Sequence, residues 1–204
     1  MNKTEISADL VQETINFHGH SCPGLAFGIR VSELIMTRFG RALDEEIVAV
    51  VETDMCAVDA IQFLTGCTFG KGNLIHLDYG KNAFSFYRRL DGEGVRIVTR
   101  RNIFPKEGDE LVTLQKKMIK EGLAPEEQKM LKEVMELRTK RIMEAQLEEL
   151  FEVKPAKGPM PKKARILESV ICQACGEMTM ESRTRRFLGE TLCIPCFEAM
   201  EKQY

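Results

Sequence analysis

The sequence has no excess of charge of either sign. Its 29 lysine and arginine residues are balanced by 31 aspartate and glutamate residues, which gives a formal net charge of -2. A chain-wide electrostatic attraction to DNA, RNA or acidic lipid is therefore not expected, and any nucleic-acid role has to be local.

Long apolar runs are also missing. No stretch approaches the roughly 18 apolar residues that a membrane span needs, and the first nine residues are polar, unlike a signal peptide. We therefore expect a cytoplasmic protein with no membrane partner. Of its 204 residues, 44% are hydrophobic and 29% are charged, which is enough for one sizeable core and a small second unit.

Histidine is scarce, with three residues, but cysteine is not, with seven. In a cytoplasmic protein these thiols stay reduced, and clustered reduced thiols are more often metal ligands or reactive groups than disulfides. Four of the cysteines lie near the C-terminus. Cys22, Cys56 and Cys67 lie in the N-terminal half with all three histidines, His18, His20 and His76.

The pattern of residues 1–152 predicts an α+β domain with a largely antiparallel sheet and flanking helices. Helices are expected over 7–16, 23–39 and 55–65, and strands over 47–51, 74–77, 83–87 and 95–99. The turn-forming residues at 78–82 predict a hairpin between the second and third strands.

Highly charged helices follow, at 111–121 and 126–150. The second is long and amphipathic, which indicates a connector that packs and spaces, with dimerisation as the alternative. Three prolines predict a linker over 153–164, and a small separate unit over 165–204.

Two C-x-x-C pairs in this unit predict a zinc ribbon. Cys172, Cys175, Cys193 and Cys196 can close a tetrahedral thiolate shell around one structural Zn²⁺, leaving no position for water or substrate. The alternative is a set of unrelated buried or redox cysteines. The stretch resembles the four-cysteine fingers of the TraR/DksA type.

Between the two pairs lies a basic run, Arg183 to Arg186. It is either a solvated hairpin or a local contact for nucleic acid or an acidic protein face.

The N-terminal half offers a second set of metal ligands. The set comprises His18, His20, Cys22, Cys56 and Cys67, with Asp59 as a candidate base or an orienter of a ligand. Imidazole and thiolate favour zinc or another transition metal over Mg²⁺ or Ca²⁺, and we expect zinc. Cys22 and Cys56 begin predicted helices, whose positive ends lower a thiol pKa.

Geometry separates Cys67 from this set. A straight helix over 55–65 would place Cys56 and Cys67 about 16 Å apart, too far to share an ion unless Cys67 comes from a second subunit or the helix is shorter. The alternative is that Cys56, Cys67 and His18 are core residues, and His76 is expected to be structural. The Gly-Lys-Gly-Asn run around Lys71 suggests an anion-binding loop or merely a tight turn.

Four segments in order, 17–24, 56–62, 66–74 and 78–81, resemble the family of the formylmethanofuran dehydrogenase E subunit. The resemblance implies an α+β metal-binding domain, often a homodimer, that is associated with an oxidoreductase complex. It also places the motif residues of that family at His18, His20, Cys22, Cys56, Asp59 and Cys67. The chain has no molybdopterin-scale domain and no iron–sulfur cysteine run, so redox catalysis by this chain alone is not expected.

Two functions follow as hypotheses. In the first, the chain is an accessory or enzyme-like subunit with a His/Cys transition-metal site and a structural zinc. In the second, it is a regulatory module whose ribbon docks on nucleic acid or a protein.

Overall fold

The computed structural model describes residues 6–101, 103–104 and 110–203. Its internal contacts divide the chain into two units, Met1–Lys163 and Ala164–Tyr204. Helices and a mainly antiparallel sheet make up the first unit, which confirms the predicted α+β class.

Six helices and five strands form the described part of the first unit. The helices are α1 (Ala8–His18), α2 (Pro23–Phe39), α3 (Ala57–Thr65), α4 (Glu110–Glu121), α5 (Pro125–Glu144) and α6 (Leu147–Leu150). The strands are β1 (Ile47–Val51), β2 (Leu74–His76), β3 (Ala83–Arg88), β4 (Gly94–Thr99) and β5 (Phe151–Pro155). Their order in the sheet is β2-β1-β3-β4-β5, with β1 parallel to β2 and the other pairs antiparallel.

The hairpin predicted between β2 and β3 is wrong, because β1 lies between them. All five residues of β1 are apolar and buried, so the strand takes an interior position with a neighbour on each side. The connection at 78–82 instead crosses the end of β1, where the Lys81 N–H donates to the Glu52 carbonyl at 2.8 Å. His76 ends the short edge strand β2 and is exposed, and it is not among the clustered metal ligands of the described residues.

The two faces of the sheet are covered differently. Ile47, Ala49 and Val51 point into the main core with side chains from α2, α3, α5 and α6. Val48 and Val50 point to the other face, where Ala156 and Met160 pack on them. This alternation follows from the two-residue period of a strand and leaves α2 and α3 together on one side.

The long helix predicted over 126–150 is interrupted. Helix α5 ends at Glu144, Ala145 and Gln146 are extended, and α6 resumes at Leu147. Arg30 donates from Nη2 to the Ala145 carbonyl at 2.8 Å, so the carbonyl at the break has a partner. The break lets Leu150 enter the core, where it is fully buried.

The linker predicted over 153–164 also differs from the structure. Its first three residues belong to β5, an edge strand that pairs with β4, and Pro155 is tolerated there as the last residue of the strand. The following segment is bonded to the first unit, since Tyr87 donates to the Lys157 carbonyl and Arg89 to the Pro161 carbonyl.

The second unit is built from two hairpins and a helix. They are β6 (Ser169–Ile171), β7 (Met178–Met180), β8 (Thr184–Phe187), β9 (Glu190–Cys193) and α7 (Ile194–Glu201). Its small core contains Cys172, Leu192 and Cys193, with Phe187, Cys196 and Phe197 at its edge. No described helix of either unit combines the length and apolar character that a membrane crossing requires.

Candidate metal centres

Four of the predicted N-terminal ligands converge. His18 ends α1, His20 lies in the turn that follows, Cys22 caps α2, and Cys56 immediately precedes α3. Their ligand atoms all lie within 4.8 Å of one another. Two imidazoles and two thiols at this separation match the number and type of ligands that a tetrahedral zinc ion takes.

Two glycines allow the starts of α2 and α3 to meet. A Cβ added to Gly28 would lie 2.3 Å from the backbone oxygen of Ala57, so only glycine permits this helix crossing. A Cβ added to Gly24 would lie 3.2 Å from the Cβ of Cys56. Neither glycine was predicted from the sequence to belong to the site, although two glycines four positions apart in an apolar helix are a visible signal.

His18 is oriented by Asp59. Nδ1 of the imidazole lies 2.7 Å from Oδ2 of the carboxylate, so Nδ1 carries the proton that is donated to Asp59. In the neutral imidazole of this tautomer Nε2 is the acceptor, and this buried atom has no hydrogen-bond partner among the described residues. Around a metal-binding histidine, a carboxylate usually accepts a hydrogen bond from one ring nitrogen and orients the ring, while the other nitrogen is free to coordinate the metal.

This hydrogen bond supports one of the two roles considered for Asp59, that of orienting a ligand. Its side chain is 42% exposed, and its carboxylate is hydrogen-bonded to His18, whose side chain is 10% exposed. A general base would instead have to reach the reacting group.

The two N-terminal thiols differ in their surroundings. The Leu25 N–H donates to Sγ of Cys22 at 3.3 Å, as in a helix cap. Cys56 makes no such bond to α3. Burial, followed by the neighbouring thiol of Cys22, raises the pKa of Cys56. The lowering by the helix end that the sequence predicted is therefore wrong for Cys56, and a divalent cation would remove the repulsion between two neighbouring thiolates.

Cys67 is not brought to this cluster within the chain. It lies beyond the far end of α3, is fully buried, and donates from Sγ to the Ile47 carbonyl at 3.5 Å. Burial raises its pKa. These surroundings are those of a small core residue.

A hydrogen bond from the Lys71 side chain helps to hold its loop in place. Nζ donates to the Asp44 carbonyl at 3.1 Å, while the Asn73 side chain donates to the same carbonyl and accepts from the Thr68 N–H. The loop is thus held as a turn that enters β2, and the lysine lines a separate cavity of about 430 Å³.

A groove of about 630 Å³ opens beside His20. His20 and Ser21 form one wall, and α5 forms the other with Leu131, Lys132, Met135 and Lys140. Met135 also packs against the apolar cluster that contains Cys22 and Cys56, so the groove adjoins the candidate metal ligands.

In the second unit, the four predicted ribbon cysteines also converge within 4.8 Å. Cys172 and Cys175 lie in the turn between β6 and β7, whereas Cys193 ends β9 and Cys196 lies in the first turn of α7. Backbone N–H groups of Cys175 and Cys193 lower the pKa of Cys172 to about 6. Neighbouring Cys193 and Cys175 raise the pKa of Cys196 to about 12, so without a cation the four thiols cannot all ionise near neutral pH.

Comparison with known families matches each of the two units to a different family. Residues 17–152 match the family described as "FmdE, Molybdenum formylmethanofuran dehydrogenase operon". Residues 165–202 match the prokaryotic dksA/traR C4-type zinc finger. Both resemblances noted in the sequence are confirmed.

Two individual proteins are similar over most of the chain. A crystal structure from Syntrophus aciditrophicus, of a protein like the E subunit (FmdE) of tungsten formylmethanofuran dehydrogenase, superimposes with a TM-score of 0.63 at 28% identity, covering 97% of this chain and 96% of that one. A curated Archaeoglobus fulgidus protein, described as "Probable S-adenosyl-L-methionine-binding protein", is 36% identical over 190 residues. That match covers 88% of this chain but 50% of the relative, so the chain spans about half of its length.

Proposed function

Because the chain belongs to the FmdE family, we propose that its first unit binds one zinc ion and serves as an accessory or enzyme-like subunit built around that ion. The proposed ligands are His18, His20, Cys22 and Cys56. The observation that carries the proposal is His18, whose Nδ1 is fixed by Asp59 while the buried Nε2 lacks a partner among the described residues.

The donor set favours zinc. Two imidazoles and two thiolates suit a borderline-soft ion with tetrahedral coordination, whereas Mg²⁺ and Ca²⁺ prefer oxygen ligands. When bound, such an ion supplies a Lewis acid beside the groove.

The four proposed ligands are unequal. His18 and Cys22 are largely buried and held by hydrogen bonds, but His20 is exposed and lines the groove. His20 is therefore the ligand that an incoming molecule can displace most readily, and this gives the site a means of acting on a small molecule rather than only stabilising the fold.

Metal analysis tests the proposal. The purified full-length chain should contain two zinc ions, one in each unit. His18→Ala and Cys56→Ser should each remove one ion, whereas Cys67→Ala, which changes a cysteine outside the cluster, should retain both. A wild-type chain that binds one zinc, which Cys193→Ser abolishes, would contradict the proposed site.

For the second unit we propose a local contact with nucleic acid as an alternative function. Arg185 and Arg186 are exposed on β8, and the guanidinium of Arg185 bonds only to a neighbouring carbonyl among the described contacts. Both cations thus remain available for phosphates. Binding to a mixed-sequence DNA or RNA that weakens with salt and is lost in Arg185→Ala/Arg186→Ala would support this function, and absence of binding at low salt would exclude it.

We also propose that the chain forms a homodimer and associates with an oxidoreductase complex. Light scattering after gel filtration tests for the homodimer, and copurification with the tagged chain tests for an oxidoreductase partner. A monomeric mass across the micromolar range would exclude a stable dimer.

A further inference from the structure

We propose that the groove between the 19–22 turn and α5 binds a small anionic organic molecule next to the metal. This inference rests on the proposed function, because the molecule would meet the ion at His20. The groove itself, of about 630 Å³, has the size of an ordinary small-molecule site.

The floor of the groove is apolar. Leu131 and Met135 are half-buried on the face of α5 that lines it. Met135 extends this floor to the cluster around Cys22 and Cys56. A ligand lying on these side chains would bury its own apolar part and extend toward the metal ligands.

The rim of the groove is cationic. Lys132 and Lys140 lie two helical turns apart on α5, and Glu136 between them is the one carboxylate among the lining residues. The ion pairs that these lysines make are long, at 3.9 Å to Glu136 and Glu144, and both ammonium groups are well exposed. Such exposed pairs contribute little, so the lysines can turn to an incoming anion at small cost.

Hydrogen-bonding groups surround this rim. Ser21, Gln128 and Thr139 add neutral polar groups to the lining. Within the lining the two lysines face one carboxylate, Glu136, since Glu144, which pairs with Lys140, lies outside it. A ligand with a carboxylate, phosphonate or phosphate group and a compact apolar body matches this arrangement. A cationic ligand does not.

Calorimetry with the zinc-loaded full chain tests the proposal. The probes are phenylphosphonate, its neutral counterpart benzyl alcohol, the cation benzyltrimethylammonium, and S-adenosyl-L-methionine, which has a net positive charge. Phenylphosphonate should bind, and it should bind more tightly than the other three.

Charge reversal locates the binding. Lys132→Glu/Lys140→Glu should weaken phenylphosphonate binding about tenfold or more, because two attractions become repulsions. The matched control, Lys120→Glu/Lys129→Glu, makes the same change in net charge at exposed helical positions that do not line the groove. It should bind phenylphosphonate as the wild type does.

Metal content is measured on the same samples, so that the two proposals fail separately. A chain with a single zinc contradicts the proposed function. A chain with two zinc ions overturns the groove inference if it ignores phenylphosphonate, if it binds S-adenosyl-L-methionine or benzyltrimethylammonium more tightly, or if both double variants behave alike.

Discussion

The carboxylate of Asp59 lies 2.7 Å from Nδ1 of His18, across 41 positions of sequence. It joins the last residue of α1 to the first turn of α3. Since the bond fixes the tautomer and the direction of the ring, it prepares Nε2 to bind a cation before any cation arrives.

Asp59→Asn should therefore weaken metal binding in the first unit. Losing a carboxylate behind a histidine ligand typically reduces metal affinity about 10- to 100-fold. Competition with a chromophoric zinc chelator measures the change. Asp54→Asn makes the same chemical change at an exposed position five residues earlier and should leave the affinity unaltered. An Asp59→Asn chain with wild-type affinity would show that the carboxylate does not orient a ligand.

The contact between Gly28 and Ala57 leads to a prediction about stability. The added Cβ of Gly28→Ala would meet backbone atoms of α3, which cannot move aside as a flexible side chain can. We expect the free energy of unfolding to fall by about 1–3 kcal/mol and metal affinity to fall with it, because the starts of the two helices would separate.

Gly70→Ala is the matched control for this substitution. Its added Cβ would meet no atom within 4 Å, and Gly70 does not have a positive φ. Urea unfolding monitored by circular dichroism should show little change for Gly70→Ala. Equal effects of the two substitutions would mean that the helix crossing is not tightly packed.

Local spacing made much of both sites predictable. His18, His20 and Cys22 lie within one turn, and each C-x-x-C pair of the ribbon is a self-contained motif, so their proximity does not depend on the rest of the fold. The class of the fold followed similarly from local patterns, such as the continuous run of apolar residues that predicted β1.

What the sequence did not predict depends on contacts between distant residues. Strands β2 and β3 are joined in sequence by turn-forming residues, yet in the sheet the more apolar β1 lies between them. No local sequence pattern encodes this strand order, because it depends on contacts between distant residues. The partnership of His18 with Asp59 likewise depends on how α1 packs against α3. The break after Glu144 depends on where Arg30 reaches.

The pKa of Asp91 provides a check on the turn between β3 and β4. Hydrogen bonds from Arg88 lower the pKa of Asp91 to about 2, from an ordinary value of 3.8. Because the folded pKa is the lower one, the bond stabilises the fold fully above pH 3.8, and this contribution is lost as the pH falls toward 2.

Arg88→Gln should therefore raise the pKa of Asp91 toward 3.8. Carboxyl carbon shifts followed by NMR during an acid titration measure it directly. Lys81→Gln removes a cation elsewhere in the same unit and should leave the titration of Asp91 unchanged. A pKa that stays near 2 in the Arg88→Gln chain would mean that backbone hydrogen bonds, such as the one from the Glu93 N–H, lower it without Arg88.

Cys193→Ser should unfold the second unit and spare the first. The small core of that unit contains Cys172, Cys193 and Leu192 and is too limited to fold without a metal, so losing one thiolate removes its main source of stability. Hydrogen exchange should then show protection lost after residue 164 and retained in β1 and β3. Chelation of zinc from the wild-type chain should reproduce this pattern in the second unit. Cys67→Ala, the control, changes a cysteine outside both clusters and should keep the second unit protected. An intact second unit in Cys193→Ser would mean that its fold does not depend on the four-cysteine site.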